Sequence, residues 1–272
     1  MSSRSAVLKS QQRWARATGR NADSRGYLET VDANLWRPLC DQSRRSFENG
    51  SGSELRTKMR ALHSSSALAV NFFEYWTTAD CTSLVHALDL DSAVASVAFE
   101  SQHHTGLEGN PPNLDVCLML VSGRTAAIES KFCEWLGRKS PDKENFKPKY
   151  FPPKASLWAL RELPKCQDLA ADIRDRKERF SYLDAPQLLK HALGLATTLG
   201  QHFDLYYIYF DCPGPQSAKH EAEIAHFSER VGAELRLKTF TYQALFSFLT
   251  ATRDVDREYL DYLRQRYFAN AG

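Results

Sequence analysis

Residues 113–132 read NLDVCLMLVSGRTAAIESKF, and this stretch decides the fold of the chain. Two apolar runs, 113–121 and 125–132, flank a turn at Ser122-Gly123-Arg124, and Asn110-Pro111-Pro112 precedes the first run. Short apolar runs bounded by turn residues are typical of β-strands rather than helices. The stretch therefore predicts a β-hairpin.

The hairpin brings two acids and a lysine together. Side chains alternate along a strand, so Glu129 and Lys131 project to one face while Ser130 faces the other way. If Asp115 on the first strand points to that same face, the two carboxylates form an oxygen-rich site for a hard divalent cation, with the ammonium beside it. We expect the carbonyl of Ser130 to add a ligand. This arrangement suits hydrolysis of a phosphodiester.

A Glu-x-Lys triplet is weak as a motif, because it recurs by chance. The alternative is a solvated strand face, which is where charged residues at every second position usually lie in an antiparallel sheet. Against it, small or apolar residues flank the pair at 126–128 and 132–133, which indicates a buried strand. Charged residues are rare in buried strands unless they are paired or bind metal.

At these residues the chain resembles the PD-(D/E)XK nuclease superfamily, which has Asp on the first strand of a hairpin and Glu-x-Lys on the second. Four further segments resemble a bacterial family described as restriction endonucleases, namely 64–73, Phe99-Glu100, 109–116 and 128–134. The similarity covers roughly 60–211. Leu114 stands where the superfamily name expects Pro. The resemblance implies an α/β fold with a restriction-endonuclease-like core, a mixed β-sheet flanked by helices, acting on DNA.

A bound Mg²⁺, with Mn²⁺ as a substitute, would neutralise the charge that develops on the phosphate and lower the pKa of a coordinated water. Asp115 and Glu129 are the expected ligands, and clustered carboxylates should have raised pKa values without a cation. Lys131 would orient the attacking water or balance the charge of the pentacovalent phosphate. The alternative for Lys131 is a simple salt bridge to Glu129 or Asp115.

Glu100 is the expected third catalytic acid and metal ligand, because the strand pattern at 93–99 delivers it to the edge of the site. Its alternative is an ordinary charge at the end of a strand. In many superfamily members the extra acid lies on a helix before the hairpin. Glu74, near the end of the helical pattern at 67–76, therefore remains a rival.

A helical pattern at 186–200 places Gln187 and His191 on one face, since they are four residues apart. In several branches of the superfamily a helix after the hairpin directs a Gln to the active site, so Gln187 is a candidate to contact the attacking water or a phosphate. The alternative is that both are polar residues on a half-buried helix. For His191, a packing role is favoured over a metal ligand.

A basic, aromatic and proline-containing loop follows the hairpin. We expect its cations to bind DNA phosphates, namely Arg138, Lys139, Lys143, Lys147 and Lys149. The alternative is a solvated surface loop. The net charge of the 272-residue chain is only +2, so no global field indicates a nucleic-acid partner.

The remaining features indicate a cytoplasmic enzyme that is not membrane-bound: the six cysteines are scattered, and neither a secretory signal nor a long apolar run occurs. We predict a basic, polar N-terminal segment at 1–60 and a nuclease-like domain at 61–272. Further expected elements are helices at 54–76, 81–88 and 216–231 and strands at 203–210 and 234–240.

The predicted function is a Mg²⁺-dependent endonuclease that hydrolyses DNA, in bacterial restriction or defence. Two alternatives have the same fold: a repair or recombination nuclease, and a DNA-binding relative that has lost catalysis. An RNA nuclease is a third, since phosphate contacts do not distinguish the sugars. A homodimer is a possible assembly for cutting both strands. No motif indicates a recognition sequence or a cut pattern.

Overall fold

A five-stranded mixed sheet organises the computed structural model, which describes residues 3–50, 54–139 and 145–269. The strands lie side by side in chain order, and they are β1 (Val94–Gln102), β2 (Asn113–Leu120), β3 (Thr125–Lys131), β4 (Phe203–Tyr209) and β5 (Lys238–Thr241). Strands β1, β2 and β3 pair antiparallel, whereas β3, β4 and β5 pair parallel. The predicted α/β fold class, with its hairpin at β2 and β3, is confirmed.

Helices cover both faces of this sheet. They are α1 (Ser3–Ala17), α2 (Asp41–Asn49), α3 (Ser65–Phe73), α4 (Thr82–Ala87), α5 (Pro164–Arg174), α6 (Ala185–Leu199), α7 (Pro215–Leu235), α8 (Tyr242–Ala251) and α9 (Arg257–Leu263). Among the described residues, no helix is both long enough and apolar enough to cross a membrane.

Two apolar cores lie on the opposite faces of the sheet. Alternation along β3 assigns Ile128 to a core shared with α3, α8 and α9, and Ala127 to a core shared with α5, α6 and α7. The parallel pair of β3 and β4 is joined through α5 and α6, and that of β4 and β5 through α7. This is the crossover connection that parallel strands require.

Several element boundaries differ from the sequence-based prediction. The predicted helix at 54–76 begins only at α3, because the Ser64 hydroxyl accepts a hydrogen bond from the Ala67 N–H at 3.2 Å and caps a new helix there. Helix α7 runs beyond its predicted end to Leu235, and Arg236 then takes a left-handed conformation with φ of 44°. Strand β5 is correspondingly short.

The N-terminal residues pack onto the rest of the chain. Trp14 and Ala15 of α1 are buried in a small cluster with Leu28 and Leu62. The Gln11 Nε2 donates a hydrogen bond of 2.8 Å to the carbonyl of Arg266, which follows α9. Helix α1 therefore lies against the C-terminal end of the described chain.

Candidate active site

Asp115 lies where the two strands of the hairpin separate. The backbone pairing of β2 with β3 ends at Val116 and Ile128. Beyond this pair, the N–H of Ser130, two residues after Ile128, donates a hydrogen bond of 2.7 Å to the Oδ2 of Asp115, one residue before Val116. The next contact between the strands is therefore made by the Asp115 side chain. This hydrogen bond holds the Asp115 carboxylate beside the Glu129–Lys131 segment.

Glu129 and Lys131 form an ion pair inside the protein. Lys131 Nζ donates to Glu129 Oε1, and the two side chains are only 16% and 2% exposed, the larger value being that of Lys131. The salt bridge that sequence reasoning gave as the alternative role of Lys131 is therefore present. It fills one side of the Glu129 carboxylate and leaves Oε2 for other contacts.

Helix α6 supplies two side chains to this pair. Gln187 Oε1 accepts a hydrogen bond of 3.0 Å from Lys131 Nζ. His191 Nε2 lies 2.9 Å from Glu129 Oε2. Gln187 was expected near the site, whereas the approach of His191 to Glu129 was not expected. Its spacing of four residues from Gln187 was the signal in the sequence.

Glu100 in β1 is part of the same electrostatic cluster. In the register of β1 with β2, its neighbours Phe99 and Ser101 pair with Val116 and Leu114, so Glu100 is level with Asp115. The backbone at Glu100 is left-handed, with φ of 50°. Asn113 Nδ2 donates to Glu100 Oε2 at 2.7 Å, a contact that sequence reasoning missed.

Burial and neighbouring charges raise the pKa values of two acids in this cluster, Asp115 and Glu100. Burial and the neighbouring Glu129 raise the pKa of Asp115 well above its ordinary value, against the opposing effect of Lys131. Burial raises the pKa of Glu100 to about 7, although the hydrogen bond from Asn113 opposes this. These two shifts follow the expectation for clustered carboxylates.

Glu129 differs from that expectation. Burial alone would raise its pKa, but the positive charge of Lys131 and the contact with His191 outweigh burial and lower it. Burial also favours neutral Lys131, yet the carboxylates of Glu129 and Asp115 prevail and raise the pKa of Lys131. Lys131 is therefore an ammonium ion at neutral pH.

Two other predicted residues have different surroundings. Glu74, the rival third acid, accepts hydrogen bonds from the Cys40 N–H at 2.7 Å and from the Ser43 hydroxyl at 2.6 Å. It thereby fixes the start of α2, and its carboxylate is engaged there. The Ser130 hydroxyl lies 2.6 Å from the Tyr242 hydroxyl, on the side of β3 away from Glu129.

The donor set fits a hard divalent cation by its chemistry. Asp115 interacts electrostatically with two further carboxyl groups, those of Glu129 and Glu100, and the ammonium of Lys131 contacts Glu129. Over the described ranges, no group of three or more His, Cys, Asp or Glu side chains is close enough to hold a metal ion. Mg²⁺ is commonly bound by one or two carboxylates with water and substrate phosphate, so a complete protein cage is not required.

The predicted DNA-binding cations of the loop are in different environments. Arg138 and Lys147 are exposed. Lys139 Nζ lies 2.5 Å from Asp184 Oδ2, and Lys149 Nζ donates to the carbonyl of Glu108. Lys143 is outside the described residues. Of the aromatic residues interleaved with these cations, Phe146 and Tyr150 are buried in the core beside α6, and Phe151 is partly buried against that core.

Comparison with known proteins gave one family. A family model described as Restriction Endonuclease associating with ARP matches residues 4–268, which is nearly the whole chain. The matched range contains every strand of the sheet and all the acids of the cluster. No curated protein and no solved structure matched the chain.

Proposed function

This chain belongs to the family of restriction endonucleases associating with ARP, and from that membership we propose that it is a Mg²⁺-dependent endonuclease of the PD-(D/E)XK type, hydrolysing DNA in bacterial restriction or defence. The observation that supports the chemistry is the buried cluster in which Asp115 and the Glu129–Lys131 pair meet at the open end of the hairpin. Glu100 adds a third carboxyl group to this cluster.

Asp115 and Glu129 would hold the Mg²⁺ ion. When bound, Mg²⁺ would neutralise charge on the phosphate and lower the pKa of a coordinated water. The buried carboxylates favour such an ion, because a nearby positive charge relieves the repulsion that raises the pKa of Asp115. Mn²⁺ is the expected substitute, since it prefers similar oxygen ligands.

Lys131 stabilises negative charge rather than accepting a proton. Its raised pKa keeps the ammonium protonated, so it is unsuited to act as a general base at neutral pH. An ammonium beside the scissile phosphate would stabilise the charge that grows on the nonbridging oxygens. Gln187 holds this ammonium through its hydrogen bond to Nζ.

DNA is held by residues other than those that carry out the chemistry. Arg138 and Lys147 are exposed on the loop that follows β3, where they are available to phosphates on either side of the scissile bond. A symmetric homodimer is the proposed assembly for cutting both strands, since each chain has one such cluster. Sedimentation with and without duplex DNA would measure this assembly.

The test is incubation of the purified chain with plasmid and genomic DNA in Mg²⁺, followed by sequencing of the ends. We expect cleavage that EDTA stops and that Asp115→Asn, Glu129→Gln and Lys131→Met abolish, while DNA binding in Ca²⁺ persists in all three variants. Defined ends would support restriction. Absence of cleavage by wild-type protein in both Mg²⁺ and Mn²⁺, with DNA still bound, would favour a relative that has lost catalysis.

A further inference from the structure

His191 of α6 contacts the buried carboxylate of Glu129. From its contact with the catalytic pair, and on the basis of the proposed function, we infer that His191 is a positioning residue that orients the Glu129 carboxylate toward the bound cation. Gln187 contacts Lys131 and His191 contacts Glu129, so one helix face engages both members of the pair.

The residue spacings along α6 and along β3 are similar, which explains why the two pairs of side chains meet. Residues four apart on an α-helix are separated by about 6 Å along the axis. Residues two apart on a β-strand are separated by about 6.6 Å. Gln187 and His191 on α6 therefore face Lys131 and Glu129 on β3 in order, with the helix running opposite to the strand.

The shared burial of His191 and Glu129 indicates a specific contact rather than a histidine that only fills space. His191 and Glu129 are each 1% exposed. Within the described part of the chain, His191 Nδ1 has no hydrogen-bond partner, so the ring meets Glu129 through Nε2. Burying polar groups is costly unless they meet each other, so a buried contact of this kind constrains both side chains. The imidazole and the carboxylate oxygen approach to 2.9 Å and confine each other.

The rest of α6 prevents His191 from moving away. Gly194 lies so close to the backbone of residue 103 that an added Cβ would be 2.4 Å from the His103 carbonyl oxygen. One turn further, the Thr198 hydroxyl lies 2.8 Å from His103 Nδ1. These two contacts fix the depth and rotation of the helix just beyond His191.

A residue that orients a carboxylate ligand without binding the metal itself affects how tightly the metal ion is bound. Removal of groups that orient metal ligands typically costs about 10- to 100-fold in metal affinity. Glu129 retains its contact with Lys131 if His191 is removed, so the carboxylate should turn about that single contact. The expected effect is a change in cation affinity without loss of the fold.

The experiment compares three substitutions. His191→Leu keeps an apolar side chain of moderate volume and removes both nitrogens. His191→Gln retains an N–H at about the reach of Nε2, whereas His191→Asn is equally polar but too short to reach Glu129. Two quantities are measured: Mn²⁺ affinity, from electron paramagnetic resonance of the free ion, and the position of Glu129 in crystal structures of the metal-free variants. Thermal unfolding verifies that each variant is folded.

We expect His191→Leu and His191→Asn to weaken Mn²⁺ binding by about 10- to 100-fold, with recovery close to the wild-type affinity in His191→Gln. The Glu129 carboxylate should be displaced in His191→Leu. Equal Mn²⁺ affinity in the folded Leu and wild-type proteins would overturn the inference, as would an unmoved Glu129. Failure of the wild-type protein to bind Mn²⁺ would instead refute the proposed function, and the position of Glu129 in metal-free His191→Leu would still decide the role of His191.

Discussion

The carboxylate of Asp115 accepts a hydrogen bond from the backbone N–H of Ser130, at 2.7 Å, across the open end of the hairpin. Both partners lie on adjacent strands, so this contact sets the position of Asp115 relative to the Glu129–Lys131 pair before any cation binds. Ser130 thus contributes through its backbone N–H, a role that the side-chain pattern did not reveal.

Stability without metal should depend on the protonation of Glu100. Its pKa rises from 4.5 to about 7 on folding, so the folded state holds the proton more tightly. The stabilisation is complete below pH 4.5 and is lost as the pH rises toward 7. Thermal unfolding in EDTA across this range should show a shallower decline for Glu100→Gln than for wild type; parallel curves would contradict the assignment. The raised pKa of Asp115 acts in the same direction and remains in both proteins.

Substitution of Glu100 should slow cleavage, whereas substitution of Glu74 should not. Glu100→Gln is expected to slow cleavage in Mg²⁺, because it removes a charge from the acid cluster. Glu74→Gln is the matched control: it removes one of the two hydrogen-bond acceptors used by Cys40 and Ser43, costing about 1 kcal/mol of unfolding free energy, but keeps the cleavage rate. Rates at saturating DNA and unfolding curves measure the two effects. A slower Glu74→Gln enzyme would reassign the third acid.

Removal of Lys131 should make the fold dependent on divalent cations. Lys131→Met leaves Glu129 and Asp115 without their ammonium, and breaking a buried ion pair costs about 3–5 kcal/mol. A bound cation would replace the missing charge and stabilise the folded state by mass action. The melting temperature of Lys131→Met should therefore rise more on adding Mg²⁺ than that of wild type. Equal increases would indicate that a cation does not take over the role of the missing ammonium, and no increase in either protein would indicate that no cation binds beside these acids.

Gly194 should be essential for the placement of α6. In Gly194→Ala the new Cβ meets the His103 carbonyl oxygen at 2.4 Å, so the helix must shift, at a cost of about 1–3 kcal/mol. We expect lower stability and slower cleavage, since α6 holds Gln187 and His191. Gly232→Ala is the control, because its Cβ meets the Ser228 hydroxyl, which can rotate away. Comparable losses of activity in the two variants would argue against this role of α6.

Arg138 and Lys147 should account for part of the salt dependence of DNA binding. Each phosphate that the protein no longer neutralises should reduce the slope of log K against log salt by about 0.9, so the double substitution to Gln should flatten it by about 1.8. Cleavage at saturating enzyme should persist. Substituting the exposed Arg253 and Arg257 to Gln is the charge-matched control. An unchanged slope in the Arg138 and Lys147 variant would assign this loop to ordinary surface.

The sequence by itself determined the hairpin, its acids and lysine, and the helix that presents Gln187. These features depend on short-range rules, because alternation along a strand and the four-residue spacing of a helix face follow from backbone geometry. The predicted strands at 113–121 and 125–132 accordingly lie within a residue of those observed.

Only the tertiary structure placed Glu100 level with Asp115 and Glu74 at the start of α2. It also brought His191 against Glu129 and turned the loop aromatics inward, while Lys139 and Lys149 found partners. Each outcome depends on contacts between residues far apart in the chain, such as Cys40 with Glu74 or His103 with Gly194. Local propensity contains no information about which distant partner satisfies a charge or hydrogen bond, because burial and pairing are set when the elements pack together.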